Sequence, residues 1–133
     1  MNDDDATLFL AKAEESVAGA ESELANGRYN NCANRCYYAC FQAVVAALLR
    51  VGIVPTSSRG QWGHDFVQGE FVGLLVNRRK LYPGELRDTL ALNLKVRQAA
   101  DYGLDQVTET QASRALRRTH RFVAAVERGG ATV

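Results

Sequence analysis

A row of polar side chains interrupts an otherwise apolar helical segment, RYNNCANRCYYACFQAVVAALL, at residues 28–49. Its members recur at helical spacing and therefore share one face: Asn31, Arg35, Tyr38 and Gln42. A guanidinium inside a helical bundle needs a partner, because removing a charge from water costs several kcal/mol. Arginine also binds the anionic oxygens of phosphate, and a nearby tyrosine hydroxyl can orient them. The row therefore predicts either a buried ion pair or an anion-binding site.

A second polar group lies in KVRQAADYG, near the end of a later helical segment. Arg97 and Asp101 are four residues apart, so they share the helix face that carries leucines further back. We expect Asp101 to lie between Arg97 and Arg35. One interpretation is a purely architectural ion pair. In the other, five residues form a polar cleft that binds an anion: Arg35, Tyr38, Arg97, Asp101 and Tyr102.

Three cysteines, Cys32, Cys36 and Cys40, recur every four residues along the first of these segments. They lie in a row on one helix face, and the rise per residue separates the outer two by about 12 Å. A single zinc ion needs its sulfur ligands at ~2.3 Å, so the three thiols cannot share one. We therefore expect space-filling side chains beside a close helix neighbour, with no metal and no cofactor.

Helical periodicity runs through most of the chain, and strand patterns are nearly absent. Gly27, Gly52 and Gly103 are placed to end three of the helices, and Pro83 lies near the first turn of the third long helix. A Thr108–Gln111 capping box opens the last one. The helices are expected over residues 4–26, 29–51, 64–77 (short), 82–102 and 108–129.

This pattern predicts one all-α domain, residues 1–133: an antiparallel up-and-down four-helix bundle with an extra short helix. Its core is expected at about 4–128, with a long loop at 52–63 and a disordered tail at 129–133. The net charge of +1 excludes a global field that attracts nucleic acid or membrane. The longest apolar run, 43–49, is too short for a bilayer, and the acidic start lacks a signal-peptide pattern. We therefore expect a cytoplasmic protein with no membrane association.

Three segments, in order, resemble HEPN-domain proteins: NRCYYACF within residues 27–49, HDFVQGEF at 64–71, and RQAADY at 97–102. The likeness covers about residues 8–126 and is closest to the small stand-alone HEPN proteins. The resemblance implies an antiparallel helical bundle that usually dimerises. It also implies a role in RNA cleavage, or as one half of a toxin–antitoxin pair with a minimal nucleotidyltransferase.

The chain departs from the nuclease members at the site that matches Arg97. Those members carry an arginine, four to six further residues and then a histidine, whereas this chain has Tyr102, Gly103 and Leu104 at those offsets. Asp101 is a poor replacement as a general base, because two neighbouring arginines would lower the pKa of its carboxyl. RNA cleavage needs both a base and an acid. The family motif for cleavage is therefore absent at Arg97.

Two hypotheses follow. The leading one is a binding or regulatory protein, a homodimer whose polar cleft holds an RNA or nucleotide phosphate. The alternative is a metal-independent ribonuclease toxin with an atypical acid–base set: His64, Arg97 and Asp101. His64 follows a loop and begins a helix, so it could approach Arg97. The sequence leaves open whether the protein is an enzyme, which ligand it takes and which toxin–antitoxin role it plays.

The last helix carries a row of arginines, which we expect on the solvent side, away from its apolar stripe: Arg114, Arg117, Arg118, Arg121 and Arg128. The apolar stripe is expected to face the core: Ala112, Ala115, Leu116, Thr119, Phe122, Val123 and Val126. A row of charges is usually a solvated face, and no aromatic stacking platform interleaves it.

Overall fold

The computed structural model describes residues 2–55 and 60–129. Five α-helices make up most of the described chain: α1 (Asn2–Ala25), α2 (Tyr29–Arg50), α3 (His64–Glu70), α4 (Thr89–Tyr102) and α5 (Glu109–Glu127). The described residues contain no strand, so the all-α prediction is confirmed. Residues 56–59 of the expected loop and 130–133 of the expected disordered tail lie outside the described residues.

Helix α2 is the central helix, and it packs against α1, α4 and α5. Its second half is buried on all sides because nearly every residue from Ala43 to Leu49 is apolar. Helix α1 approaches it with small residues at heptad spacing, Ala6, Ala13 and Ala20, each at most 2% exposed. Small side chains allow two helix backbones to come close together. The long helices thus form the expected bundle around α2.

Glycine ends α1 as predicted. Gly27 has a φ of +75°, a left-handed conformation that costs glycine little, and the chain then turns directly into α2. At the start of α5, the Thr108 hydroxyl accepts from the Gln111 backbone N–H at 3.1 Å, and the Gln111 side chain accepts from the Thr108 N–H at 2.9 Å. This is the predicted capping box. All seven residues of the expected apolar stripe on α5 are buried.

The segment between α3 and α4 differs from the prediction. Helix α3 continues into a π-helix, Phe71–Arg78, whose wider turns carry Phe71 and Leu75 into the core. Pro83 has extended backbone (φ −65°, ψ 150°) and precedes a separate 3₁₀ turn, Gly84–Leu86. Helix α4 begins only at Thr89. The expected helix at 82–102 is therefore wrong in its first turns. The extended backbone of Pro83 and the separate 3₁₀ turn interrupt the helix before Thr89.

A cluster of aromatic rings joins this segment to the bundle. Phe71 lies 5.2 Å from Phe122 of α5 and 5.3 Å from Tyr82, measured between ring centroids. Burying side chains of this size contributes about 1.5–3 kcal/mol each. Within the described residues, none of the helices combines the length and hydropathy needed to cross a membrane.

Candidate functional site

Arg97 of α4 lies against two adjacent tyrosines of α2. Its Nη1 donates a hydrogen bond of 2.8 Å to the Tyr38 hydroxyl. Its guanidinium carbon lies 5.0 Å from the Tyr37 ring centroid and 5.6 Å from that of Tyr38. The two rings meet edge to face at 5.1 Å, so they form one aromatic wall. The side chain of Arg97 is only 18% exposed, and stacking of this kind contributes roughly 0.5–2 kcal/mol.

Asp101 forms a long ion pair with Arg97, 3.7 Å from Oδ2 to Nε, and not with Arg35. Asn34 occupies the position beside Arg35 that was expected for the Asp101 carboxylate. It donates to Asp101 Oδ2 at 3.5 Å and accepts at 2.8 Å from Nη2 of Arg35. Asp101 therefore lies between the two arginines, but it reaches Arg35 only through Asn34, so the expected direct pairing of Asp101 with Arg35 is wrong. The four side chains form a line, in the order Arg97, Asp101, Asn34, Arg35.

Arg35 is exposed rather than buried, and it turns toward α1. A Cβ added at Gly19 would lie 3.5 Å from Cδ of Arg35, so the arginine stem passes directly over this glycine. The guanidinium carbon lies 5.9 Å from the Tyr38 ring centroid. Beside it opens a polar cavity of about 370 Å³, lined by Gly19, Glu23, Asn31, Asn34 and Arg35. Asn31 and Arg35, the first half of the predicted polar row, thus line this open cavity.

Gln42, the last member of the row, belongs to a different contact. Its amide lies 2.8 Å from the Ser16 hydroxyl of α1. The row therefore divides into three parts: Asn31 and Arg35 line the cavity, Tyr38 holds Arg97, and Gln42 joins two helices.

His64 begins α3, and its Nδ1 lies 3.1 Å from the Tyr37 hydroxyl. The two rings are 5.9 Å apart, and Arg97 stacks on the same Tyr37 ring. Burial raises the pKa of Tyr37 to about 12, although the Arg97 charge acts in the opposite direction. The phenol is therefore a neutral hydrogen-bond partner near pH 7. His64 is therefore linked to Arg97 through the Tyr37 side chain.

Tyr102 is 78% exposed at the end of α4, outside the enclosed part of the site. The structure adds Tyr37, which was not predicted, to five predicted residues that it brings together: His64, Arg97, Tyr38, Asp101 and Arg35. We call this set, with Asn34, the Arg97 cleft; the part of it that is open is the cavity lined by Asn34 and Arg35. Arg97 Nε is buried and has no hydrogen-bond partner among the described residues. The cleft therefore contains two cations, one carboxylate and an unused donor.

A family model described as HEPN domain matches residues 6–129 of the 133-residue chain. This range includes every residue of the Arg97 cleft. The chain belongs to the HEPN domain family. The resemblance predicted from the sequence is confirmed, together with its all-helical fold. A search of curated proteins found no match to the chain.

The HEPN domain contains a buried polar network that sequence reasoning missed. Asn93 of α4 is 1% exposed, and its Nδ2 donates to the Thr119 hydroxyl at 3.0 Å. Its Oδ1 accepts from Arg118 twice, at 3.3 Å from Nε and 3.0 Å from Nη2. Arg118 therefore turns inward and is half-buried, which corrects its expected place on the solvent side of α5. The only signal in the sequence is its position next to Thr119 of the apolar stripe.

The three cysteines of this HEPN domain are free and fully enclosed, each 0% exposed. Cys40 Sγ lies 3.7 Å from the Thr119 hydroxyl and 3.3 Å from Asn93 Nδ2. Burial raises the pKa of Cys40 to about 12, so its thiol stays protonated near pH 7. The row fills the space between α2, α4 and α5.

Proposed function

We propose that this HEPN domain is a binding or regulatory protein that holds an RNA or nucleotide phosphate in the Arg97 cleft. The observation that carries the proposal is the arrangement of Arg97. Two tyrosines hold its guanidinium, and its buried Nε lacks a hydrogen-bond partner among the described residues. A phosphate oxygen supplies the acceptor that this donor needs.

The balance of charge in the cleft supports an anionic ligand. Arg35 and Arg97 carry two positive charges, and Asp101 carries one negative charge. Asp101 is 3.7 Å from Arg97 Nε, which is too long for a hydrogen bond. Arg35 is bonded to the neutral amide of Asn34 and lines the open cavity. Glu23 also lines this cavity, but its carboxylate is paired with Arg28. A phosphate there would meet the Arg35 guanidinium, with Arg97 as a second cation at the far end of the line through Asn34 and Asp101.

Substitution of Arg97 tests the proposal. Titration of a labelled short RNA and of AMP, by anisotropy and calorimetry, should show binding that Arg97→Gln weakens more than about tenfold, the cost of a charge-assisted contact. Arg128→Gln is the matched control, because Arg128 is an exposed cation at the end of α5. Equal affinities of the Arg97 and Arg128 variants would refute the proposal.

Two further variants test the geometry. Tyr38→Phe keeps the ring beside Arg97 but removes the hydroxyl, so binding should weaken less than in Arg97→Gln. Asp101→Asn removes the carboxylate that competes with the ligand and should tighten binding by roughly two- to fivefold. Weaker binding by the Asp101 variant would show that the carboxylate contacts the ligand through a bridging group, against the proposed direct pairing.

A second function, metal-independent RNA cleavage, is favoured by one observation: His64 reaches the ring on which Arg97 stacks. In this alternative, His64 takes or gives the proton, with Arg97 stabilising the phosphate charge and Asp101 as a further titratable group. Purified protein is incubated with RNA and a chelator, and wild type is compared with His64→Ala and Arg97→Ala. Cleavage that neither substitution reduces would exclude this mechanism.

We also propose that the protein acts in the cytoplasm as a homodimer and pairs with a minimal nucleotidyltransferase in a toxin–antitoxin system. Family membership supports this, since HEPN domains commonly dimerise. The three free cysteines support a reducing compartment. Light scattering on the purified chain tests the dimer, and co-purification with the product of a neighbouring nucleotidyltransferase reading frame tests the pairing. A monomer at all concentrations would refute the homodimer.

A further inference from the structure

A basic corner lies between the π-helix and α4, on a different part of the molecule from the Arg97 cleft. We define it by four exposed cations: Arg78, Arg79, Lys80 and Arg87. Lys80 and Arg87 line an open cavity of about 320 Å³ together with Asn77 and Gly84, and Val76 and Pro83 form apolar walls. No carboxylate is among the described residues that line it. The cavity has room for a phosphate group with part of the molecule that carries it.

Arg87 is held in place by a neutral group. Its Nε and Nη2 both donate to Oδ1 of Asn77, at 3.1 Å and 2.8 Å. A Cβ at Gly84 would lie 3.4 Å from both terminal nitrogens of this guanidinium, so glycine lets the guanidinium lie close over the backbone. Among the described residues, no carboxylate lies within ion-pair distance of Arg87. The guanidinium is thus oriented without an ion-pair partner, and its Nη1 has no hydrogen-bond partner, within the part of the chain that the structure describes.

Lys80 stands in a backbone conformation that favours glycine. Its φ is +53°, and no other non-glycine residue of the described chain has a positive φ. The turn that requires it closes the π-helix: Arg79 N–H donates to the Leu74 carbonyl at 2.8 Å, and Leu81 N–H donates to the Leu75 carbonyl at 2.8 Å. A lysine side chain pays a steric penalty here that glycine would not. Strain of this kind, beside a π-helical turn, is a feature of functional sites.

We infer that Lys80 and Arg87 form a second anion site, which binds a phosphate group independently of the Arg97 cleft. Arg87 supplies its oriented Nη1, and Lys80, which lines the same cavity, supplies a mobile point charge. Arg78 and Arg79, which precede Lys80 in the chain, are further exposed cations outside the cavity lining. Arg97 lies eight residues beyond the start of α4, about 12 Å along its axis, and does not line this cavity, so the two sites are distinct.

The test removes the Arg97 cleft first. All measurements use the Arg97→Gln background, so that a failure of the Arg97 cleft proposal and a failure of this second site are separate results. Two probes distinguish the source of the phosphate: inorganic pyrophosphate for a free phosphate, and a labelled single-stranded RNA for a phosphodiester chain. In this background, Arg87→Gln and Lys80→Gly should each weaken binding of at least one probe more than fivefold. Arg128→Gln and Lys12→Gln, which remove exposed cations elsewhere, should change it less than twofold.

Two variants separate binding from stability. Lys80→Gly removes the charge and also the backbone strain, so its Tm should equal or exceed that of the parent while its affinity falls. Asn77→Asp keeps the shape of the Arg87 partner but adds a carboxylate that competes with phosphate, so affinity should fall with both cations still present. If the substitutions of Lys80 and Arg87 weaken the binding of pyrophosphate alone, the ligand of the site is a free phosphate or a nucleotide. If they weaken the binding of RNA alone, the ligand is a phosphodiester chain. If both cation variants bind both probes as the control variants do, the site is refuted.

Discussion

Replacing Asn93 by leucine should strongly destabilise the fold, because this one amide connects three helices. Its Nδ2 reaches Thr119 of α5 at 3.0 Å and the Cys36 carbonyl of α2 at 3.4 Å, and its Oδ1 accepts two hydrogen bonds from Arg118. Leucine has a similar size but none of these groups. The substitution leaves the half-buried Arg118 guanidinium without its acceptor.

The magnitude follows from the hydrogen bonds that are lost. The bond to Thr119 is neutral and buried, and such bonds contribute about 1 kcal/mol. The pair from Arg118 is charge-assisted, and its loss costs about 1.5–3 kcal/mol, including the unpaired cation. We therefore expect Asn93→Leu to lower the free energy of unfolding by roughly 3 kcal/mol. Arg118→Met leaves Asn93 Oδ1 unsatisfied and should cost about 1–2 kcal/mol.

The double variant, Asn93→Leu with Arg118→Met, decides the interpretation. If the two side chains stabilise the fold through each other, the double variant should cost at least about 1 kcal/mol less than the sum of the single variants. Urea unfolding followed by circular dichroism gives all four free energies, with the m-value as a check on two-state behaviour. Arg117→Met, on the exposed side of α5, is the control and should be nearly neutral. Additive costs would refute the coupling between Asn93 and Arg118.

Three other predictions follow from single contacts. Thr108→Ala breaks the capping box of α5 and should cost about 1 kcal/mol in thermal unfolding, whereas Thr108→Ser should be nearly neutral; equal losses would contradict the hydrogen-bond explanation. A hydrogen bond with Glu14, and then burial, raises the pKa of Glu127, so its contribution to stability should be full below the ordinary value of 4.5 and should be lost as pH rises from there through the raised pKa of the folded state. Tm measured against pH should therefore be flatter for Glu14→Gln, and an unchanged slope would count against the pair. Because burial raises the pKa of Tyr37 to about 12 from an ordinary 10, folding stability should decline between these pH values. Burial also raises the pKa of Tyr82, so absorbance titration of Tyr37→Phe should show one late-titrating phenol fewer than wild type, and an equal number would contradict the assignment.

Helix ends and the central position of α2 could be predicted because their causes are local in the sequence. The capping box at Thr108 and the left-handed Gly27 depend on residues within a few positions of one another. The meeting of Arg97 with Tyr38 could also be expected, because polar groups on apolar helix faces must find each other when the helices pack. The family resemblance depended on the same segments.

The errors arise where a third element decides the direction of a long side chain. Arg35 turns toward α1 because Gly19 leaves room there, and no spacing within α2 reports that gap. Asn34 then takes the place beside Asp101 that was expected for Arg35. Arg118 turns inward for the same kind of reason, since its acceptor, Asn93, lies on another helix.

The segment from the π-helix to α4 was the least predictable part. A π-helix differs from an α-helix by hydrogen bonds shifted by one residue, and apolar periodicity over eight residues does not resolve this shift. The left-handed turn that follows carries Lys80, although glycine would be the expected residue. Local propensity therefore pointed away from the observed conformation.

The buried cysteines of α2 can report on local opening of the bundle around this helix. All three thiols of the chain lie on this helix, and each is 0% exposed. A thiol reagent can modify them only when α2 separates from its neighbours, so the labelling rate measures local opening rather than thiol chemistry. Cys32 faces the Ala112 carbonyl of α5, whereas Cys40 faces both Asn93 of α4 and Thr119 of α5. Single-cysteine variants would therefore compare the release of α5 with the release of α4 and α5 together. Labelling in the presence and absence of RNA would then show whether a ligand held between α2 and α4 slows one opening and leaves the other unchanged.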